Sequence, residues 1–126
     1  MLDNQGDNFV ERRLFPRYAV RYLAKVYLNE EMLCGTVINI SEGGVGILLP
    51  KIIPVGDVLT LGIRNIIQKE EGEEEDKEMK FKAKIAWLSE ESTDGMYRGG
   101  LEITDISEEI LEKLIDHIQY LDDQTS

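Results

Sequence analysis

The stretch Tyr18-Ala19-Val20-Arg21-Tyr22-Leu23-Ala24-Lys25-Val26-Tyr27-Leu28-Asn29 decides the fold class. Tyr18, Val20, Tyr22, Ala24, Val26 and Leu28 share one parity, and Arg21, Lys25 and Asn29 share the other. Successive strand side chains point to opposite faces, so this alternation predicts a half-buried β-strand. Its tyrosines and valines are strand formers. Asn29-Glu30-Glu31 then reads as a tight hairpin turn, and Met32 to Ile40 as the returning strand. Ser41-Glu42-Gly43-Gly44 interrupts the pattern, and Val45 to Leu49 forms a short third strand that ends at Pro50.

The pattern continues outward. Pro54-Val55-Gly56-Asp57 predicts a turn, and Val58 to Ile63 a fourth strand with Val58, Leu59, Leu61 and Ile63 apolar. Glu70 to Glu78 holds seven acidic residues among nine. Like charges at that density repel, so the run reads as a solvated hairpin tip. In Met79 to Leu88, the residues Met79, Phe81, Ala83, Ile85 and Trp87 are expected to face inward. The lysine row Lys80, Lys82 and Lys84 faces outward and deters edge pairing. Thr93-Asp94-Gly95 is a turn before the sixth strand, Tyr97 to Thr104. The period then changes. Ile110, Leu111, Leu114, Ile115, Ile118 and Leu121 form a helical stripe behind the N-cap Ser107, with Ile106 positioned to staple against Leu111. His117 lies beside the stripe as a helix-surface residue. The expected architecture is all-β: six antiparallel strands in a small barrel or sandwich, with a terminal helix over an open end or seam.

A chain of 126 residues predicts one domain. Residues 1–11 read as a flexible segment, 12–121 as the domain and 122–126 as a tail. With 25 acidic and 14 basic side chains the formal net charge is −11. A positive field is what nucleic-acid polymers and anionic membranes require, so neither is an expected partner. No run reaches the length of a membrane span, and Met1–Asn8 lacks the apolar core of a signal peptide. The single cysteine, Cys34, excludes an intramolecular disulfide and a thiolate zinc site, and it reads as buried filler. These features together predict a cytoplasmic setting.

Catalysis needs positioned groups with shifted pKa values. The lone histidine has no nucleophile partner, no phosphate loop is present, and the carboxylates crowd into the acidic run and the helix. An enzyme is therefore not expected, and neither a catalytic nor a metal site is assigned. Two other stretches carry chemistry. Four of the six arginines are Arg12, Arg13, Arg17 and Arg21, with no acidic residue from Arg12 to Asn29. Pro16 holds Phe15 extended, so the segment reads as an arm rather than a helix. Guanidinium forks suit phosphate oxygens and the O6/N7 edge of guanine, although terminal arginines also serve simply to neutralise acidic surface. The second stretch is Asn39-Ile40-Ser41-Glu42-Gly43-Gly44. It places an amide and a hydroxyl two residues apart, beside glycines that permit positive φ and close approach. A plain turn with local serine bonding fits the same residues.

Taken in order, Arg13-x-x-x-Arg17 followed by Asn39-x-Ser41-x-x-Gly44 resembles the PilZ domain family. The strand layout, Trp87, Gly100-Leu101 and the terminal helix fit as well, so the resemblance covers roughly residues 11–121. It implies a six-stranded split barrel that binds the bacterial second messenger cyclic di-GMP. By position, Arg13 and Arg17 match the arm arginines that wrap the ligand. Asn39, Ser41 and Gly44 match the strand motif at a guanine edge, with Gly43 beside them. Asn39 stands where aspartate is commoner, and it accepts from guanine without charge assistance. An arginine at Arg12 resembles the variants that hold two stacked ligand molecules per chain. The resemblance also implies an adaptor role, in which the arm orders on binding and an unidentified effector in motility or biofilm control reads the result. The competing expectation is a PilZ-shaped interaction domain that binds no nucleotide.

Overall fold

The computed structural model describes residues 16–64 and 78–125. Six strands follow one another: β1 Tyr18–Leu28, β2 Glu31–Ile40, β3 Gly44–Leu49, β4 Val58–Arg64, β5 Glu78–Thr93 and β6 Met96–Asp105. The helix α1, Glu108–Thr125, closes the order. Every neighbouring pair is antiparallel, and the strands close in the order β1-β2-β3-β6-β5-β4, with β4 returning to β1. Closure removes the free edges that a six-stranded open sheet would expose. The expected six-stranded antiparallel barrel with a C-terminal helix is thus the observed fold.

Local chemistry sets the turns. Leu28 pairs with Glu31 across a two-residue turn, in which Asn29 adopts a left-handed φ of 57°. Thr93 pairs with Met96 across Asp94-Gly95, whose φ values of 53° and 78° are both positive. Two successive positive φ angles define the hairpin turn for which Asp-Gly is suited. At Pro54–Asp57 the Asp57 N–H donates to the Pro54 carbonyl at 3.1 Å, with Gly56 at φ 94°.

The inward parity of each strand fills the barrel. Val26, Val37, Ile47, Leu61 and Ile63 are fully buried, as is Met79. Strand β5 runs five residues past the expected end at Leu88, because bulges break its period without ending its pairing. One of these irregularities lies between Ile85 and Trp87 and reverses the parity there. Trp87 therefore points outward and is 46% exposed, contrary to the inward placement that alternation predicts. Cys34 is likewise exposed rather than buried. It has the opposite parity to the buried Gly35 and Val37, and so it shares the outer face of β2. Residues 70–77 of the acidic run lie outside the described residues, while its last member, Glu78, opens β5 and contacts Tyr27 and Lys25 of β1 rather than standing in a solvated tip.

Helix α1 starts as its sequence dictates. The Ile110 N–H donates to the Ser107 hydroxyl at 3.2 Å, and Glu108 and Glu109 occupy the positive first turn. Leu114 and Ile118 are its buried anchors, each worth about 1.5–3 kcal/mol of burial. Ile115, expected in the stripe, is 39% exposed. Two phenols of β1 hold the helix from the side. The Tyr18 hydroxyl donates to Asp122 at 2.7 Å, and the Tyr22 hydroxyl lies 2.7 Å from His117 Nε2. His117 is therefore a packed residue rather than a plain surface one. Burial lowers its pKa below the ordinary imidazole value, which favours the neutral ring.

Candidate functional site

A lateral row of residues crosses the outer face of the barrel. Ala19 of β1 pairs with Asn39 of β2, Asn39 with Gly46 of β3, Gly46 with Gly100 of β6, and Gly100 with Trp87 of β5. The row depends on local irregularities. The β1–β2 register shifts between Ala19 and Tyr22, and the β2–β3 register shifts between Val37 and Asn39. Bulges re-aim side chains, and these two together with the one before Trp87 bring the five residues onto one surface.

The two glycines form the floor of that row. A Cβ on Gly46 would stand 2.8 Å from Asn39 Cγ, and one on Gly100 would stand 2.9 Å from Trp87 Cδ1. The amide and the indole therefore lie directly over glycine backbone, and neither glycine tolerates a side chain without displacing them. The amide is also pinned, because Asn39 Oδ1 accepts the Gly46 N–H at 2.9 Å. Its Nδ2 makes no hydrogen bond among the described residues.

Around this floor lies an open cleft of about 910 Å³, within the range of small-molecule sites. Its lining includes Arg17 and Arg21 on the β1 side, Asn39 and Trp87 over the floor, and Glu91 and Arg98 on the β5–β6 side. Ion pairs engage four lysines elsewhere among the described residues. Lys25 pairs with Glu78, Lys51 with Glu31, Lys84 with Glu102 and Lys113 with Glu109. Arg17, Arg21 and Arg98 are exposed, and none of them makes an ion pair or hydrogen bond among the described residues. In a chain with 25 acidic residues, three arginines against the two carboxylates Glu91 and Asp94 leave the cleft lining net positive, most of all on its β1 side. Such forks match ligands that carry paired oxygen or nitrogen acceptors.

The residues singled out in the sequence divide into three groups. Arg17 and Asn39 line the cleft. Arg12 and Arg13 lie outside the described residues. Ser41, Gly43 and Gly44 build the turn next to the site. The buried Ser41 hydroxyl accepts from the Gly43 N–H at 3.3 Å and the Gly44 N–H at 3.2 Å, and it faces the Gly44 carbonyl at 3.2 Å. The Ser41 N–H donates to the same carbonyl at 2.9 Å, and the Ile103 N–H donates to the Gly43 carbonyl at 3.0 Å. Neither Gly43 nor Gly44 has positive φ. Close approach does matter at Gly44, but what approaches is β6: a Cβ there would overlap the Leu101 carbonyl oxygen.

Sequence reasoning missed Arg98, Glu91, the outward Trp87 and the Gly46 floor. A signal existed for Gly46 and Gly100, since each interrupts an otherwise bulky strand. Nothing in the sequence marks Arg98, an isolated arginine in a strand. No group of three or more His, Cys, Asp and Glu side chains able to hold a metal occurs among the described residues. No helix among them is long and apolar enough to cross a membrane.

Comparison with known proteins identifies the family and the fold. The PilZ domain model matches residues 11–120. A comparison with curated proteins finds no match. Among solved structures, the Bacillus subtilis inhibitor of motility MotI/DgrA superposes with a TM-score of 0.68 at 22% identity. That match covers 90% of this chain and 51% of the other, so the chain spans about half the length of MotI/DgrA. The PilZ domain of Escherichia coli YcgR, solved with c-di-GMP, superposes with a TM-score of 0.64 at 20% identity, covering 90% of this chain and 94% of that one. The PilZ domain of CeSA from a cellulose-synthesizing bacterium gives a TM-score of 0.53 at 18% identity, with 84% and 97% covered.

Proposed function

The chain belongs to the PilZ domain family, and from that premise we propose that it is a cyclic di-GMP receptor that relays the second messenger to a partner protein. Its single strongest support is the cleft in which Arg17 and Arg21, without ion pairs among the described residues, stand on the β1 side next to Asn39, whose amide lies over Gly46. Arg13 and Arg17 supply charge-assisted bonds to phosphate and guanine, and Asn39 offers its Nδ2 donors to the ligand. Ser41 and Gly44 act by shaping the turn. The bonds within that turn occupy the Ser41 hydroxyl, so we assign it a supporting part rather than a direct contact. Members of this family bind and relay rather than catalyse, and we assign no catalytic residue.

Arg12 beside Arg13 favours two ligand molecules per chain. Calorimetric titration of the full chain with cyclic di-GMP tests both points, and we expect saturation at two equivalents. Saturation at one equivalent removes the stacked pair but keeps the receptor. Absence of heat and of competition leaves the alternative, a PilZ-shaped interaction domain that binds no nucleotide.

Relay follows from where the arm joins the barrel. Arg17 immediately precedes β1, and Tyr18 and Tyr22 of β1 hold α1. Ligand held by the arm therefore bears on the strand that carries the helix. We expect amide protection across residues 9–18 to rise when cyclic di-GMP saturates the chain. Exchange unchanged by ligand across that segment would count against a relay through the arm. The reading places the protein in the cytoplasm, with an effector in motility or biofilm control downstream.

A further inference from the structure

The cleft has a second wall that the arginine arm and the strand motif do not include. We infer that Arg98, with Glu91 beside it, reads the edge of a guanine base, and so sets base specificity rather than holding phosphate. The inference rests on the receptor reading above and deepens it.

Placement comes first. Arg98 lies on the outward face of β6, paired in register with Leu48 of β3 and two residues before the floor glycine Gly100. Strands β2 and β3 separate it from β1. Neighbouring strands stand about 4.8 Å apart, so three spacings put the β6 backbone roughly 14 Å around the wall from the β1 arginines. Arg98 thus meets a different part of any ligand gripped by Arg17. It makes no hydrogen bond or ion pair among the described residues, so its fork is available.

Chemistry then separates the two walls. The β1 side presents Arg17 and Arg21, with the Asn39 amide next to them and no carboxylate. On the far side, Ser92 of β5 pairs with Tyr97 of β6, and Glu91 and Arg98 are the adjoining residues on those two strands. Asp94 of the connecting turn lines the cleft with them. A carboxylate beside a bound phosphate repels it. A carboxylate beside guanine accepts from N1–H and the N2 amino group, while an arginine fork donates to O6 and N7. A wall that carries donors and acceptors together is therefore matched to guanine and mismatched to phosphate. Trp87, over Gly100 on the adjoining strand, offers an aromatic face to the same base.

Calorimetric titrations of the full chain with cyclic di-GMP, paired with thermal melts, test the assignment in the wild type, R98A, R98K and E91Q. Both side chains are exposed, so melting temperatures should stay at the wild-type value. R98A should weaken binding about tenfold or more, in line with the loss of charge-assisted bonds. R98K should remain weaker than wild type, because an ammonium cannot fork onto O6 and N7. E91Q should weaken binding severalfold if its carboxylate accepts from guanine, and should tighten it if phosphate lies there. An R98A chain that binds like the wild type overturns the role of Arg98. An E91Q chain that binds as tightly as the wild type, or more tightly, overturns the guanine edge. Either result leaves the receptor reading intact, whereas a wild-type chain that binds no cyclic di-GMP overturns both.

Discussion

Replacing Arg17 by alanine should lower the affinity for cyclic di-GMP by about ten- to a hundredfold, since a hydrogen bond to a charged group contributes about 1.5–3 kcal/mol. The fold should not notice. Arg17 is exposed and makes no ion pair or hydrogen bond among the described residues. Surface substitutions of that kind usually stay within about 0.5 kcal/mol of neutral. The expected signature is therefore an unchanged melting curve beside a collapsed binding isotherm. Binding retained at the wild-type level would show that the cleft takes its ligand elsewhere. A melt shifted downward would show that Arg17 serves the barrel instead. The positive field also gives the effect a salt dependence, so the gap between wild type and R17A should narrow as ionic strength rises.

The opposite signature is expected at Gly44. It sits in the motif that the family resemblance links to ligand, yet its immediate constraint is backbone packing. A Cβ there would overlap the Leu101 carbonyl oxygen and stand 3.2 Å from the Leu101 carbonyl carbon. Both belong to β6 backbone, which is locked in register opposite β3 through the Gly44–Glu102 and Val45–Leu101 pairs. No side-chain rotation relieves the clash, so the strands must separate locally. The Gly44 N–H bond to the Ser41 hydroxyl is strained by the same movement. Overpacking of this kind costs about 1–3 kcal/mol, and the absence of a yielding side chain puts G44A at the upper end, at about 2–3 kcal/mol. For a domain of this size that lowers Tm by roughly 8–11 °C. Thermal melts of G44A against the wild type read this directly. A G44A chain that melts like the wild type but no longer binds ligand would move Gly44 from packing to recognition.

The two signatures show why one motif holds residues of different kinds. Arg17 and Asn39 face the cleft, whereas Ser41 and Gly44 shape the turn that ends β2 and begins β3. The order of residues does not separate these duties, because a ligand-facing serine and a turn-building serine read alike. The hydrogen bonds of Ser41 separate them, since a hydroxyl already occupied by two N–H groups and a carbonyl has little left to offer.

The strands, their turns and the helix were legible because each rests on local physics. Period-2 alternation buries one face of β1, Asp94-Gly95 accepts two positive φ angles, and Ser107 satisfies an open N–H of α1. Arg17 and Asn39 were legible as cleft residues from residue type at fixed spacing. Trp87, Arg98 and Glu91 were not, and the reason lies in the barrel rather than in the residues. A bulge between Ile85 and Trp87 reverses parity, and sequence periodicity cannot register a bulge. Arg98 becomes a neighbour of the cleft only because β6 inserts between β3 and β5, which places a residue 81 positions after Arg17 on the same surface. The sequence by itself determined the elements and the family, since those depend on neighbours along the chain. Only the tertiary structure decided the far wall of the cleft and the parity of its tryptophan, because both depend on which strands closure of the barrel brings side by side.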